Sequence, residues 1–325
     1  MKAAWYTKNG SAEDTLILGD LEIPEPGAGE VRIKLKTSGV NPSDVKSRIA
    51  RPLNAPLIIP HSDGAGVVDK VGEGVSGSRI GERVWIWNAQ WARPHGSACE
   101  YIVLKQDQAV HLPDGTSFEE GACLGIPFLT AQQAVNLCGE LKGKTVLVTG
   151  AASSVGHYAA QLAKLAGARV IGTVGSIEKQ AHAKAGGVDA CINYKTENVP
   201  ERIKALNEGK GVDAVIDMDF STTSQWLVSG ALKAHGVFVC YGSNIAGELQ
   251  VNFRPMLFNS FTFKFFLVYD LTPEDRLKTL EQTKSILEKK LIKHTVAKEF
   301  ALAEIVTAHK AVEQGLYMGN VVLTI

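Results

Sequence analysis

The segment "IIPHSDGAG", residues 58 to 66, places reactive side chain types directly before a glycine-rich strand. His61 and Asp63 are of the types that ligate metal ions and that move protons. A catalytic zinc site needs about three such protein ligands. The segment therefore allows two interpretations: a metal-dependent enzyme, or a site whose chemistry proceeds without metal.

A second stretch, "TVLVTGAASSVGHYAAQLAKLAGARV", combines an apolar strand, a tight turn and an amphipathic helix in the order of a dinucleotide-binding site. Gly150 permits a sharp turn, and Gly156 permits close packing of the helix on the sheet. The N–H groups at the helix start then face a pyrophosphate, whose charge the helix dipole favours. Ser153, at the middle position of the glycine pattern, is small enough to leave the phosphate room. We expect nucleotide binding at this turn.

The end of the next strand indicates which dinucleotide binds. An NAD-selective site carries an acid about 20 residues after the glycines, which accepts hydrogen bonds from the ribose 2′-hydroxyl. The corresponding stretch, "GTVGSIEK", offers Gly175, Ser176 and Lys179 in place of that carboxylate. Because small, hydroxylated and cationic residues suit a 2′-phosphate, we expect NADPH.

Two kinds of element must position these residues. The first third of the chain has short strands such as "EVRIKLKT", where Val31, Ile33 and Leu35 share one face, and this pattern predicts a small β-barrel. Further along, continuous apolar runs alternate with helical segments, which predicts an α/β fold with a doubly wound parallel sheet. Its six strands are predicted at residues 145–149, 169–174, 190–193, 212–217, 236–241 and 261–267.

Two more helices are predicted near the C-terminus. The first begins after the capping residue Thr272, with Pro273 at the first helical position and Asp275 completing a capping-box-like pair. The second, "LAEIVTAHKAVEQG", ends at Gly315.

Composition restricts the possible partners. Lys plus Arg equals Asp plus Glu at 34 each, so no excess positive charge favours nucleic acid or anionic membranes. No apolar run approaches the ~18 residues of a membrane span. The five scattered cysteines, without a CxxC pair, suit a reducing compartment. We therefore expect a cytoplasmic protein that acts on a small molecule.

Several segments together resemble the medium-chain dehydrogenase/reductase superfamily, and within it the zinc-free quinone oxidoreductase and zeta-crystallin branch: "GVNPSD", "GAGVVDKVGEGV", "GERV", "LGIPFLTA", "VLVTGAASSVG" and "AHKAVEQGLYMGNVVLTI". The resemblance implies a GroES-like catalytic domain of residues 1–122 and 268–325, around an inserted Rossmann domain of residues 123–267. It also implies that the last two helices rejoin the catalytic domain, and that the protein forms a homodimer through the Rossmann domain.

The resemblance also bears on the metal question. In zinc-dependent relatives a cysteine ligand stands at the position of Asn41, and the ligand histidine falls on Ser62. His61 is displaced by one residue, and adjacent side chains of a strand point to opposite faces. Because Asp63 alone is left as a possible ligand, we expect no metal, and a hydrogen-bonded loop or cleft role for His61.

The expected reaction follows from the absence of a metal Lewis acid. Alcohol oxidation is then disfavoured, whereas an electron-poor acceptor can take hydride from NADPH directly. The resemblance implies an NADPH-dependent quinone oxidoreductase. An enone or 2-alkenal double-bond reductase and a catalytically idle NADPH-binding protein are the alternatives.

The resemblance assigns candidate residues to both sites. Asn41 would donate an amide N–H to the acceptor oxygen. Lys46 departs from the family pattern, because better-known relatives have a tyrosine at its position; Lys46 and Asp63 complete the predicted catalytic set. The long loop "VWIWNAQWARPHG" contains Trp87 and Trp91, which either wall the pocket or fill the core. The predicted cofactor-binding residues are Thr130, Gly150, Ser153, Ser154, Val155, Gly156, Ser176, Lys179, Tyr194, Tyr241 and Gly242.

Overall fold

The computed structural model describes all 325 residues of the chain, and its strands form three sheets. The strands, numbered in chain order, are β1 Lys2–Trp5, β2 Ile17–Asp20, β3 Glu30–Val40, β4 Asp63–Val71, β5 Arg83–Ile86, β6 Tyr101–Lys105, β7 Ala109–His111, β8 Thr145–Val148, β9 Arg169–Val174, β10 Ala190–Asn193, β11 Val212–Asp217, β12 Leu232–Cys240, β13 Thr262–Phe265, β14 Val296–Ala301 and β15 Asn320–Thr324.

Helices flank or connect these strands. They are α1 Ala12–Thr15, α2 Pro42–Ala50, α3 Phe118–Gly121, α4 Leu129–Leu137, α5 Ser154–Leu165, α6 Ile177–Ala185, α7 Val199–Leu206, α8 Phe220–Val228, α9 Phe253–Phe258, α10 Pro273–Glu288 and α11 Ile305–Glu313. None of the helices combines the length and the apolar character needed to cross a lipid bilayer.

The chain divides into two compact units. The first unit comprises Met1–Pro127, Leu287–Lys289 and His294–Ile325, and the second comprises Phe128–Ile286 and Lys290–Lys293. The first unit is therefore formed from both ends of the chain, with the second unit inserted between them.

The placement of α10 differs from the prediction that both C-terminal helices rejoin the first unit. The predicted boundary between residues 267 and 268 precedes α10, but nearly all of this helix belongs to the second unit. Thr279 Oγ1 of α10 donates to Gln133 Oε1 of α4 at 3.2 Å, and Asn136 Nδ2 of α4 donates to Gln282 Oε1 at 2.8 Å. Because these bonds attach α10 to α4, only α11 returns to the first unit.

The start of α10 and the end of α11 are as predicted. The Asp275 N–H donates to Thr272 Oγ1 at 3.1 Å at the start of α10, and Pro273 is its first residue. Gly315 follows α11 with a left-handed φ of 62°, the conformation that ends many helices.

β3 is the central strand of the first unit. It pairs antiparallel with β4, β6 and β15 in a seven-stranded sheet. Val31, Ile33 and Leu35 of β3 are almost completely buried, which confirms the predicted alternation. Because Gly39 pairs with Asp63, the start of α2 and the start of β4 lie side by side.

The second unit contains a six-stranded parallel sheet in the order β10-β9-β8-β11-β12-β13. This is the strand order of Rossmann folds, and the predicted doubly wound sheet is confirmed. Leu147, Ile171, Val215 and Phe238 are fully buried in its core, as continuous apolar strands require. The carboxyl ends of β8, β9, β11 and β12 therefore lie at one edge of the sheet, where such folds bind ligands.

Candidate functional site

Asn41 stands at the junction between β3 and α2. Its backbone is extended, and Pro42 occupies the first position of the helix, where a missing N–H costs nothing. The Asn41 N–H donates to Asp44 Oδ2 at 2.8 Å, which is one half of a capping box. The helix start therefore fixes the Asn41 backbone and leaves its side chain for other contacts.

The Asn41 side chain is held by Asp63, the first residue of β4. Asn41 Nδ2 donates to Asp63 Oδ2 at 2.7 Å, and both residues are buried. An amide nitrogen carries two N–H groups; the structure gives a bond from Asn41 Nδ2 to Asp63, and a further side-chain interaction of Asn41 with Asp44 lowers the pKa of the Asp44 carboxyl. The structure thus brings two of the three predicted catalytic residues together and orients the Asn41 amide.

Two buried carboxyl groups surround Asn41. Burial raises the pKa of Asp44 to about 7, although the Asn41 N–H opposes this rise. Burial also raises the pKa of Asp63 well above its usual value, and the nearby charge of Asp44 adds to the effect. The Ile126 N–H opposes this rise in the pKa of Asp63. It lies outside hydrogen-bonding geometry, however, and Asp63 Oδ1 has no hydrogen-bond partner. Both carboxyl groups therefore favour the neutral form more than an exposed carboxyl does.

We expect the unfolding free energy of the Asp44→Asn variant to increase relative to that of the unaltered protein as the pH rises from about 4 to about 7. Unfolded Asp44 releases its proton near pH 3.8, whereas the folded protein retains it up to about pH 7. The folded state binds more protons in this window, so stability falls as the pH rises, and Asn has no proton to lose. The difference in unfolding free energy, from urea titrations, should grow by on the order of 1–4 kcal/mol. A difference that does not change with pH would contradict this expectation.

Lys46 is not drawn into this arrangement. It lies on the exposed face of α2, whereas Asp44, Val45 and Arg48 form the buried face. The structure gives Lys46 no hydrogen bond or ion pair with Asn41 or Asp63, so its catalytic role stays a prediction.

His61 lies two residues before Asp63 and is completely buried. Its Nδ1 is 2.9 Å from Ser38 Oγ, and its Nε2 is 2.9 Å from His309 Nε2. The predicted hydrogen-bonded histidine is therefore confirmed. No group of three or more His, Cys, Asp or Glu side chains in the chain has the geometry to hold a metal ion.

The tryptophan-rich loop is fixed at two places in the first unit. Trp87 Nε1 donates to the Asp107 carbonyl at 3.2 Å. The Arg51 guanidinium carbon lies 5.5 Å from the centre of the Trp91 ring, a cation–π contact. Both tryptophans are half-buried, and Arg51 is not among the residues that the sequence predicts.

The turn between β8 and α5 has the predicted geometry for close approach. Gly150 has a left-handed φ of 60°, and its carbonyl accepts from the Ser153 N–H at 2.8 Å. Ser153 Oγ caps α5 by accepting from the Gly156 N–H at 3.1 Å. A Cβ on Gly156 would lie 2.3 Å from the Gly150 carbonyl oxygen. The structure thus places Ser153, Ser154, Val155 and Gly156 on one turn at the start of α5.

The edge formed by β9 and β10 brings together three more predicted residues. Ser176 caps α6 by accepting from the Lys179 N–H at 3.2 Å. A Cβ on Gly175 would lie 2.9 Å from the Tyr194 hydroxyl. The prediction that this edge has no carboxylate is wrong in one respect, because Glu178 lies in the first turn of α6, where an interaction with Ser176 lowers its pKa.

Asp217, at the end of β11, is not among the predicted residues. It accepts from Thr149 Oγ1 at 2.8 Å and from Thr223 Oγ1 at 2.7 Å, while burial raises its pKa to about 6. Its carbonyl accepts from the N–H of Tyr241, the residue before Gly242, at 3.1 Å. Asp217 therefore ties the ends of β8, β11 and β12 together beside the glycine turn. The available signal was an apolar strand, "VDAVID", that ends in an acid.

Thr130 lies in the first turn of α4, where it is buried. The structure gives its hydroxyl no hydrogen bond with the other predicted cofactor-binding residues. Its role toward a cofactor stays a prediction.

Comparisons with known proteins extend over both units. Residues 27–114 match the family described as "Alcohol dehydrogenase GroES-like domain", and residues 154–285 match "Zinc-binding dehydrogenase". The chain is 32% identical over 320 residues to the quinone oxidoreductase of Pseudomonas aeruginosa, and the match covers 94% of each protein.

Two solved structures are similar along the whole chain. One is an NAD-dependent alcohol dehydrogenase, with a TM-score of 0.88, 30% identity and 100% of both chains covered. The other is the quinone oxidoreductase of Escherichia coli complexed with NADPH, with a TM-score of 0.86, 28% identity and 100% of both chains covered.

Proposed function

Because the chain belongs to the medium-chain dehydrogenase/reductase superfamily, in its quinone oxidoreductase branch, we propose that it is a metal-independent, NADPH-dependent quinone oxidoreductase. The observation that carries this proposal is the buried Asn41 amide, which Asp63 holds in one orientation. The acceptor would be a small quinone, and the alternative acceptor is an enone or 2-alkenal.

The Asn41 donor suits the charge that develops in such a reaction. When hydride reaches a quinone, negative charge grows on the carbonyl oxygen, and a preorganised donor stabilises that charge. Asp44 and Asp63 lie beside the donor, but their raised pKa values favour neutral carboxyl groups. A protonated carboxyl does not repel the growing negative charge, so protonation of Asp44 and Asp63 would favour the reaction.

The second unit fits NADPH, the cofactor of the similar Escherichia coli enzyme. The turn from Gly150 to Gly156 directs the N–H groups at the start of α5 toward a pyrophosphate. Ser176 and Lys179 would bind the 2′-phosphate, although Glu178 beside Ser176 opposes a phosphate by its charge. When bound, NADPH supplies the hydride.

Metal independence is supported by the hydrogen bonds of Asn41, which stands at a ligand position of the zinc-dependent relatives, and by those of the nearby His61. The ring nitrogens of His61 already bond with Ser38 and His309. The Asn41 amide is a poor zinc ligand, and it bonds with Asp63. A metal ion at this place would have to break these buried hydrogen bonds.

The experiment is a panel of acceptors for the purified full-length chain. We expect oxidation of NADPH with 1,4-benzoquinone, which gains the hydride and one proton, to be faster than with a linear enone and faster than the same reaction with NADH. Faster reduction of the enone would assign a double-bond reductase. Tight NADPH binding without turnover would identify an idle protein, and NADP⁺-dependent oxidation of a primary alcohol would contradict the proposal.

A homodimer through the second unit stays a prediction of the resemblance, and a cytoplasmic location stays a prediction of the composition. β13 is an edge strand of the parallel sheet. On it or near it, Phe253, Phe258 and Phe265 are 66%, 72% and 60% exposed. An exposed strand edge with apolar side chains favours pairing with another strand, so this edge is where a second copy would bind.

A further inference from the structure

A buried chain of hydrogen bonds begins at Arg48 in the first unit. Arg48 Nε donates to His309 Nδ1 at 3.4 Å, and His309 Nε2 is 2.9 Å from His61 Nε2. The guanidinium is held from its other side, because it also donates to Glu313 Oε2 at 3.2 Å and to the Gly10 carbonyl. No step of the proposed reaction uses these groups. Arg48, His309 and His61 are nevertheless completely buried.

The chain continues from His61 to the backbone of Asp63. His61 Nδ1 is 2.9 Å from Ser38 Oγ, and Ser38 Oγ is 2.8 Å from Ser97 Oγ. Ser97 Oγ in turn donates to the Asp63 carbonyl. These residues are also completely buried, so water does not compete for the bonds.

The two ends of this hydrogen-bond chain, the Arg48 guanidinium and the Asp63 carbonyl, determine the position of every proton in it. A guanidinium only donates hydrogen bonds, and a carbonyl only accepts them. His309 must therefore accept at Nδ1 and carry its proton on Nε2, whereas His61 must accept at Nε2 and carry its proton on Nδ1. Each serine hydroxyl then donates toward Asp63. One arrangement alone satisfies all the groups, and an extra proton on either imidazole would leave two donors facing each other.

This hydrogen-bond chain joins α2 and β4, the two elements that hold the Asn41 amide. Arg48 lies in the last turn of α2, the helix that Asn41 caps, and Asp63 begins β4. α2 is thus attached to the start of β4 at both of its ends, directly by the bond from Asn41 to Asp63 and indirectly by the chain from Arg48. A rotation of α2 that moved Asn41 would have to break one of the two attachments.

The backbone of His61 gives an independent observation. Its φ is 77°, in the left-handed region that glycine occupies at little cost and other residues avoid. Strain of this kind persists where the surrounding structure over-determines it, often at functional sites. The bonds of the His61 ring to Ser38 and His309, together with the bond from the Ser97 N–H to the His61 carbonyl at 3.0 Å, hold this residue in place.

We propose that Arg48, His309 and His61 are positioning residues for the Asn41 and Asp63 pair, because their hydrogen-bond chain of fixed polarity holds Asp63 in one orientation. The kinetic part of this inference rests on the proposed function, but the proton arrangement does not. Burial lowers the pKa of His61 to about 3 and that of His309 well below its usual value, in agreement with two neutral rings.

The first test reads the protons directly. Long-range ¹H–¹⁵N correlation spectra of the full-length protein with ¹⁵N-labelled histidine, assigned with His61→Gln and His309→Gln, report which ring nitrogen is protonated. We expect two neutral rings near pH 7, with the proton of His61 on Nδ1 and that of His309 on Nε2. The same tautomer in both rings, or a charged ring, would overturn the inference. This outcome does not depend on which acceptor the protein reduces.

The second test separates positioning from folding. His309→Gln keeps an acceptor and a donor, whereas His309→Leu removes both. We expect His309→Leu to lower kcat for quinone by about tenfold or more, with unchanged NADPH affinity, and His309→Gln to restore most of this loss. Normal kcat in the folded His309→Leu protein would contradict positioning.

Should His309→Leu not fold, a smaller change tests the same point. Ser97→Ala interrupts the chain before Asp63 with little loss of volume and should also lower kcat. Ser47→Ala is the matched control, because Ser47 is a buried serine of α2 that is not part of the hydrogen-bond chain. This variant should leave kcat unchanged. Equal kcat values for the two variants would overturn the inference. A protein without turnover on any acceptor would instead refute the proposed function and leave the spectroscopic test valid.

Discussion

Asn41→Ala should lower kcat for quinone reduction by about 10²–10³-fold and leave the NADPH dissociation constant unchanged. The magnitude is that of removing one preorganised donor to a developing oxyanion. NADPH affinity should not change, because the predicted cofactor residues belong to the second unit. Steady-state kinetics and NADPH fluorescence titration measure the two quantities separately.

Asn41 is also the N-cap residue of α2, so the control alters another N-cap asparagine that takes no part in the chemistry. Asn198 caps α7 by accepting from the Glu201 N–H at 3.2 Å. Asn198→Ala should lose on the order of 1 kcal/mol of stability and retain its kcat. A kcat of Asn41→Ala close to that of the unaltered protein would contradict the assigned role.

Gly156→Ala should weaken NADPH binding by at least ~100-fold, or about 2.7 kcal/mol. The added Cβ would lie 2.3 Å from the Gly150 carbonyl oxygen and 3.0 Å from the Ala151 Cα. Both neighbours are backbone atoms, so the turn must move away from the start of α5. The N–H groups that would bind the pyrophosphate then lose their common orientation.

Gly247→Ala is the matched control for this effect, because a Cβ at Gly247 meets no atom within 4 Å. It makes the same chemical change in the same unit and should leave NADPH binding unaltered. Calorimetric titration of both variants, with circular dichroism to verify folding, measures the contrast. An unchanged dissociation constant for Gly156→Ala would refute the assignment of this turn.

Local patterns were sufficient to predict several elements of this fold. The alternation of Val31, Ile33 and Leu35 predicted a strand with one buried face, and the structure has it. The glycine pattern from Gly150 to Gly156 predicted a turn against a helix, because only glycine allows these two backbones to approach so closely. Each of these signals lies within one short stretch of the sequence.

Contacts between distant segments could not be predicted in this way. His61 and His309 are 248 residues apart, and no spacing rule connects them. The helical pattern of α10 predicted a helix but not which unit it would join, because that depends on its bonds with α4. Glu178 was overlooked beside Ser176 because it lies in the first turn of α6 rather than at the end of β9.

The catalytic proposal depends on an amide, and not a metal ion, as the group that receives the developing charge. The most direct measurement is quinone-dependent oxidation of NADPH by protein dialysed against a chelator, with the metal content determined on the same sample. We predict an unchanged kcat in protein that contains far less than one metal ion per chain. Activity that is lost on dialysis and restored by zinc would contradict the account.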